Sequence, residues 1–261
     1  MRGAMYAVIK KDFRGIVSNR RLFSELLIIP LVLTIILPSI FVAAAHFAPD
    51  DPDMVKLIGM LPAGNRAESA EMALAGLIFN YILPVFFLMV PIMTASVMAA
   101  SSFVGEKEKH TLETLLYCPL SVKQIFQAKV LASFLFSMMV SLISFAAMML
   151  VLELEAFFII GNILVPSAGW LVILFLLMPS VSLIAVTLIV RGSAKAQSVE
   201  ESQQGAVFLI IPVILLVAGQ FAGVMLLNIW ILMGLSAVCA LLAWALLHKA
   251  VGRFNYEMLL K

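Results

Sequence analysis

Gly105-Glu106-Lys107-Glu108-Lys109-His110-Thr111-Leu112-Glu113-Thr114-Leu115-Leu116-Tyr117-Cys118-Pro119-Leu120-Ser121 is a polar island in an otherwise apolar chain, and the charge runs on to Lys129. Long apolar runs flank it, Ala73–Val104 before and Val130–Leu152 after. At about 1.5 Å of rise per residue each run is long enough to cross a hydrocarbon core of about 30 Å. So many charges cannot rest in hydrocarbon, so the island reads as a loop in water between two spans. It does not read as slack linker. Leu112, Leu115 and Leu116 recur at helical spacing, Glu113 and Thr114 face elsewhere, and Pro119 stops the turn. The spacing predicts a short amphipathic helix over 111–117, held between two membrane rods, on which something outside the membrane can push.

Composition supports the membrane reading along the whole length. Of 261 residues, 63% are hydrophobic and 12% charged, against about 45–50% and about 25% in a soluble domain. The expected fold is an all-α membrane protein in one membrane domain, 1–261. Spans are expected at about 22–47, 73–104, 126–152, 170–190, 206–220 and 229–247. The second is too long for a simple crossing and must tilt, kink at Pro84 or Pro91, or project into water. Glu153 and Glu155 are expected to open a connection to Pro166, and Arg191–Gln204 to form a small hydrophilic loop. Gly219–Asn228 has little polarity and reads as a turn that dips back toward the membrane.

Residues 4–21 precede the first span. Met5, Ile9, Phe13, Ile16 and Val17 fall on one face, and Lys10, Lys11, Arg14, Arg20 and Arg21 fill the rest. This is a basic amphipathic helix expected to lie in the headgroup plane. A cleaved secretory signal is the competing reading, because Ala43-Ala44-Ala45 mimics a cleavage site. The apolar core from Leu22 is too long for that, about twenty residues against the 7–15 of a signal segment.

Six spans place both termini on one side. Of the 17 Lys and Arg residues, only Lys56 and Arg66 fall on the opposite side. The excess of positive charge assigns both termini and the island to the cytoplasm. Trp170 and Trp230 are expected at the outer interface, where amphipathic rings settle.

The chemistry-bearing motifs are sparse. No Gly-x-x-x-x-Gly-Lys-Ser/Thr phosphate loop is present, so ATP hydrolysis is not expected in this chain. His46, His110 and His248 lie on separate segments, and Cys118 and Cys239 have no metal or disulfide spacing. No catalytic residues, cofactor site or metal site are expected, and the 16 Met residues read as flexible packing. The Glu200-Glu201 pair reads as a solvated loop. Ion-coupled carriers need titratable groups at mid-membrane. Here the spans are nearly bare, and Glu25, one turn from Arg21, reads as an interfacial ion pair. Energy for any transport must then arrive from outside, through the island.

The run Glu106-x-Glu108-x-x-Thr111-Leu112-Glu113-x-Leu115-Leu116-x-x-Pro119-x-Ser121, followed by Lys129, resembles the signature of ABC-2-type transporter permeases. The entry helix, six spans and cytoplasmic ends are similar to that family too, so the resemblance covers nearly the whole chain. Two positions depart from it. His110 stands where the family usually has Gly, and Ala128 where Gly usually precedes Lys129. Thr111 can still cap the helix.

The resemblance implies a permease subunit of an ATP-driven exporter in a prokaryotic plasma (inner) membrane. Segment 111–117 would be the coupling helix, docking on a separate nucleotide-binding ATPase subunit that holds ATP and Mg. Leu112, Leu115 and Leu116 would supply apolar contact. Glu106, Glu108 and Glu113 would face basic groups on the partner or brace the entry helix, and Pro119 would fix the exit. A second permease copy, identical or paralogous, would complete the pathway in the lipid bilayer; no nucleic acid is implied. The reading from another class is a membrane scaffold or sensor that uses the same loop to recruit a cytosolic partner without transport.

Overall fold

The computed structural model describes residues 2–47, 59, 70–108, 120–193, 196, 198–222 and 227–253. All regular structure among them is helical. The entry helix α1 spans Arg2–Ser18, and α2 spans Arg20–Phe47. Then come α3, Glu71–Glu108, α4, Val122–Ile160, α5, Ala168–Ser193, and α6, Val199–Phe221. The last is α7, Ile229–Arg253. Six helices, α2 to α7, are long and apolar enough to cross a membrane, as expected.

The spans differ sharply in how much protein surrounds them. The most apolar window of α3 is 72% buried, whereas those of α6 and α7 are 17% buried. So α3 is the axle, packed on α4 and α5, while α6 and α7 lie outermost. Small side chains allow the central approach: Ala95, Ala99, Ala132, Ser133, Ser137 and Ser182 are all wholly buried. Lipid tails are as apolar as Leu, so helices associate through close packing and interhelical hydrogen bonds rather than hydrophobic transfer. Ser137 on α4 joins three such bonds. It donates to Pro91 O at 3.0 Å, pairs with Thr94 Oγ1 at 3.0 Å and accepts from Ser182 Oγ at 3.2 Å.

The expected kink in the second span is a π-turn at Ile78–Ile82, followed by a break at Leu88. Pro84 explains it. Leu83 N donates to Ile78 O in π register. The next carbonyl in that register, Phe79 O, would need an amide from Pro84, which has none. Trp170 Nε1 supplies the missing donor at 3.1 Å. The next residue, Asn80, accepts from Ser167 N at 2.7 Å and donates to Val165 O at 3.2 Å. Gln220 Nε2 then donates to Tyr81 O at 2.9 Å. Three neighbouring residues of an irregular turn are thus tied to α5, the α4–α5 connection and α6.

Several sequence expectations need correction. Trp170 is not an interfacial ring: it is 2% exposed and packs among Phe79, Phe87 and Phe145, with centroids 5.2–6.0 Å away. Trp230, by contrast, is exposed. The helix after the island begins at Val122 rather than at 126, because Ser121 and Gln124 form a reciprocal capping box. It also runs through Glu153 and Glu155 to Ile160. Gly161, at φ +79°, ends it, and Glu153 accepts from Leu164 N to fold the connection back. The polar stretch before the fifth span is largely helix, since Ser198 caps Val199–Gln203 by accepting from Glu201 N. Glu25 accepts from Arg21 Nε at 3.0 Å, the ion pair its spacing suggested. α6 continues to Phe221, so the expected 219–228 turn starts later than its polarity suggested, and residues 223–226 within it lie outside the described residues.

Candidate functional site

The island does not begin where the hydrocarbon ends. Its first residues, Gly105–Glu108, continue α3, and Gly105 and Glu106 are buried, which corrects the expectation of a loop in water from 105 onward. Burying Glu106 requires a counter-charge. Lys11 of α1 meets it at 2.5 Å, and Lys129 of α4 at 3.0 Å. Of the two roles its position suggested, the contact seen is the brace to the entry helix.

Lys129 is the centre of this cluster. It is 1% exposed, although its position after the island suggested a solvated cation. Its ammonium donates to Ser102 O at 2.5 Å and to Ser102 Oγ at 3.2 Å. It also lies 3.8 Å from Asp12 Oδ2 and 5.4 Å from the Phe103 ring centroid. Ser102 Oγ in turn donates to Asp12 Oδ2 at 2.7 Å. Two carboxylates and two ammoniums therefore balance where α1, α3 and α4 meet. Such a cluster is costly to break because removing one member strands the others.

Asp12 carries no signal of this in the sequence. It stands on the apolar side of α1, next to Lys11, where charge patterning alone reads it as one more polar residue. Burial holds its carboxyl above the ordinary value of 3.8, and Lys129 and the Ser102 hydroxyl offset this only in part. The folded state then holds the Asp12 proton more tightly than the unfolded chain. Between 3.8 and the raised value, stability rises as pH falls. Thermal unfolding in detergent should show this slope in the wild type. It should flatten in Asp12→Asn, which keeps an acceptor for Ser102 without the titration.

The rest of α1 follows the cluster onto the protein. Ile9, Phe13 and Ile16 pack with Leu26, Met98 and Phe136, Phe13 edge-on to Phe136 at 5.2 Å. Val17, expected on that face, is exposed instead. At the far end of the island Leu120 is buried with Val8, Ile125 and Ala128, against Met5 and Ile9. Asn19 alone separates α1 from α2 and accepts from Leu22 N at 3.4 Å. Glu108 caps a different helix, accepting from Val199 N at 2.9 Å at the start of α6. A cleft of about 230 Å³ opens beside the cluster, walled by Lys11, Asp12, Ile16, Met98 and Glu106 among others.

Thr111, Leu112, Glu113, Leu115, Leu116 and Pro119 lie outside the described residues. What is described are the two ends of their segment, and both ends rest on α1: Glu106 through Lys11, Leu120 through Met5, Val8 and Ile9. The Ser121-x-x-Gln124 pattern that restarts the helix is a capping-box signal that could have placed its start, and the expectation of 126 missed it. The pairing of Lys129 with Asp12 and Glu106 carried no local signal. Among the described residues no group of three His, Cys, Asp or Glu side chains is placed to hold a metal, and the charges of this cluster join α1, α3 and α4.

Comparison with curated proteins and with solved structures gave no match. A family profile described as ABC-2 family transporter protein matches residues 36–199, which is more than half of the chain and includes the island, Lys129 and the spans on either side. The chain is therefore a multi-pass membrane protein that belongs to the ABC-2 transporter family, a permease component of an ABC transporter.

Proposed function

We propose that this chain is the transmembrane permease subunit of an ATP-driven exporter, and that segment 111–117 is the coupling helix on which a separate ATPase subunit acts. ATP and Mg are bound by that subunit. A second permease copy, identical or paralogous, forms the pathway with the first, and the island and both termini face the cytoplasm.

One observation carries the reading: the segment bearing the family motif is anchored at both ends to the same amphipathic helix. A push on it is delivered to three elements together. Glu106 passes it to α1 through Lys11 and to α4 through Lys129. The Asn19 joint passes it from α1 to α2. The capping box at Ser121 makes the end of the segment the start of a rigid rod. A salt-bridged, close-packed joint of this kind moves as a unit rather than deforming smoothly. In this mechanism ATPase closure tilts α1, α3 and α4 together, and the π-turn at Ile78–Ile82 is the place where α3 yields.

The test is co-purification with the ATPase subunit from native membranes. Leu115→Asp and Glu113→Lys are each expected to reduce recovery of that subunit at least about tenfold, the scale of losing one well-placed contact of about 1.4 kcal/mol. Membrane insertion should be unchanged. Undiminished recovery with both variants would remove the coupling role from 111–117. Recovery that depends on both residues, with no substrate movement in the reconstituted pair, would identify a scaffold.

A further inference from the structure

The apolar stripe of α1, expected to face lipid, is spent on the protein's own helices. The opposite face is left open. At the helical spacing i, i+4, i+8, i+11 it carries Tyr6, Lys10, Arg14 and Val17. All four are exposed, Tyr6 to 65% and Val17 to 53%.

The cations along this side are not equivalent. Lys11 is neutralised by Glu106 and Arg21 by Glu25. No ion pair joins Lys10, Arg14 or Arg20 to another of the described residues. Two positive charges, Lys10 and Arg14, therefore line the open side of the entry helix without an ion-pair partner among the described residues, interleaved with an aromatic and an aliphatic side chain, and a third, Arg20, opens α2 just beyond it. Only Asn19 separates this helix from α2, so Arg14 and Val17 lie within about two turns of the start of a span, and Arg20 is its first residue.

We propose that the outward face of α1 and the adjoining start of α2 bind anionic phospholipid headgroups of the leaflet they abut, through Lys10 and Arg14 on α1 and Arg20 on α2. A surface meant for water has no use for Tyr6 and Val17, and a surface meant for hydrocarbon has none for the cations. The boundary layer of a bilayer accepts both, with the aromatic ring at headgroup level. Negative lipid charge supplies what the protein withholds. A Lys or Arg near an anionic membrane surface contributes about fivefold in association. The proposal needs only that the chain spans a membrane, and it stands or falls independently of coupling to an ATPase.

The experiment uses the full chain reconstituted in phosphatidylcholine bilayers, with trace spin-labelled phosphatidylglycerol or spin-labelled phosphatidylcholine as probes. The wild type is expected to hold phosphatidylglycerol preferentially, less so at high salt because these charges are exposed. Lys10→Gln, Arg14→Gln and Arg20→Gln combined should bring the two probes to near parity. The charge-keeping set Lys10→Arg, Arg14→Lys and Arg20→Lys should retain the preference. Lys11 and Arg21 are left intact, so the docking of α1 is not disturbed. A preference equal to wild type in the glutamine variant overturns the proposal, as does a wild type that shows none. A glutamine variant that keeps its lipid preference but no longer recovers the ATPase subunit overturns it too, and gives the face to a protein partner.

Discussion

Lys129→Met is expected to release the entry helix from the membrane domain. The substitution keeps the volume and the helical propensity of the position, so it tests charge alone. Asp12 and Glu106 would then share a buried site with only Lys11, whose side chain is half exposed and whose ion pair is with Glu106. Breaking a buried ion pair by removing one partner costs about 3–5 kcal/mol, because the remaining charge is left uncompensated. The apolar contacts of Ile9, Phe13 and Ile16 are weaker support here than in a soluble protein, since lipid can replace part of them. Thermal stability in detergent should fall sharply. A Val8→Cys reporter should become open to maleimide labelling, whereas in the wild type Val8 is buried. Adding Asp12→Asn and Glu106→Gln to Lys129→Met removes the stranded charges and should restore most of the stability. A Lys129→Met protein that melts with the wild type and keeps the reporter protected would show that packing, not the ion cluster, docks the helix.

The same residue shows where reading the sequence reaches its limit. The six spans were legible because a bilayer forces about twenty apolar residues in a row. The entry helix and the Arg21–Glu25 pair were legible because their signals are local, within one or two turns. Lys129 was not. A lysine a few residues beyond a charged loop reads as one more cytoplasmic cation, and its partner Ser102 is 27 positions away. Nothing in that stretch says that Asp12, on another helix, closes the cluster. Val17 failed for a related reason. A helical stripe gives the direction of burial only to within a turn, and the stripe that packs on α4 ends at Ile16.

Trp170→Phe is expected to destabilise the half of α3 around the π-turn at Ile78–Ile82 although it keeps an aromatic ring in place. As a tryptophan at the edge of an apolar run, Trp170 reads from sequence as an interface anchor, and only the fold shows that it is buried and donates to a backbone carbonyl instead. The Pro84 ring leaves Phe79 O without its π-register donor, and the indole N–H fills the gap from a residue 91 positions away. Phenylalanine cannot donate. Phe79 O is then left unsatisfied in a packed protein interior, where water does not readily replace the lost bond. Interhelical hydrogen bonds in bilayers average about 0.6 kcal/mol, whereas an orphaned buried carbonyl costs about 1–3 kcal/mol. A loss of about 1–2 kcal/mol is expected for Trp170→Phe. Trp170→Ala should cost about 3 kcal/mol or more, since it also empties the space among Phe79, Phe87 and Phe145. The two variants separate the effects: the difference between them reports packing, and the phenylalanine alone reports the donor. Pro84→Ala, which returns an amide to the helix, should make Trp170→Phe nearly silent if the π-turn exists because of that missing donor. If Trp170→Phe costs the same in the Pro84→Ala background as in the wild type, measured by unfolding in denaturing detergent, the account of the turn is wrong. The irregularity would then belong to packing around α3 and not to its own backbone.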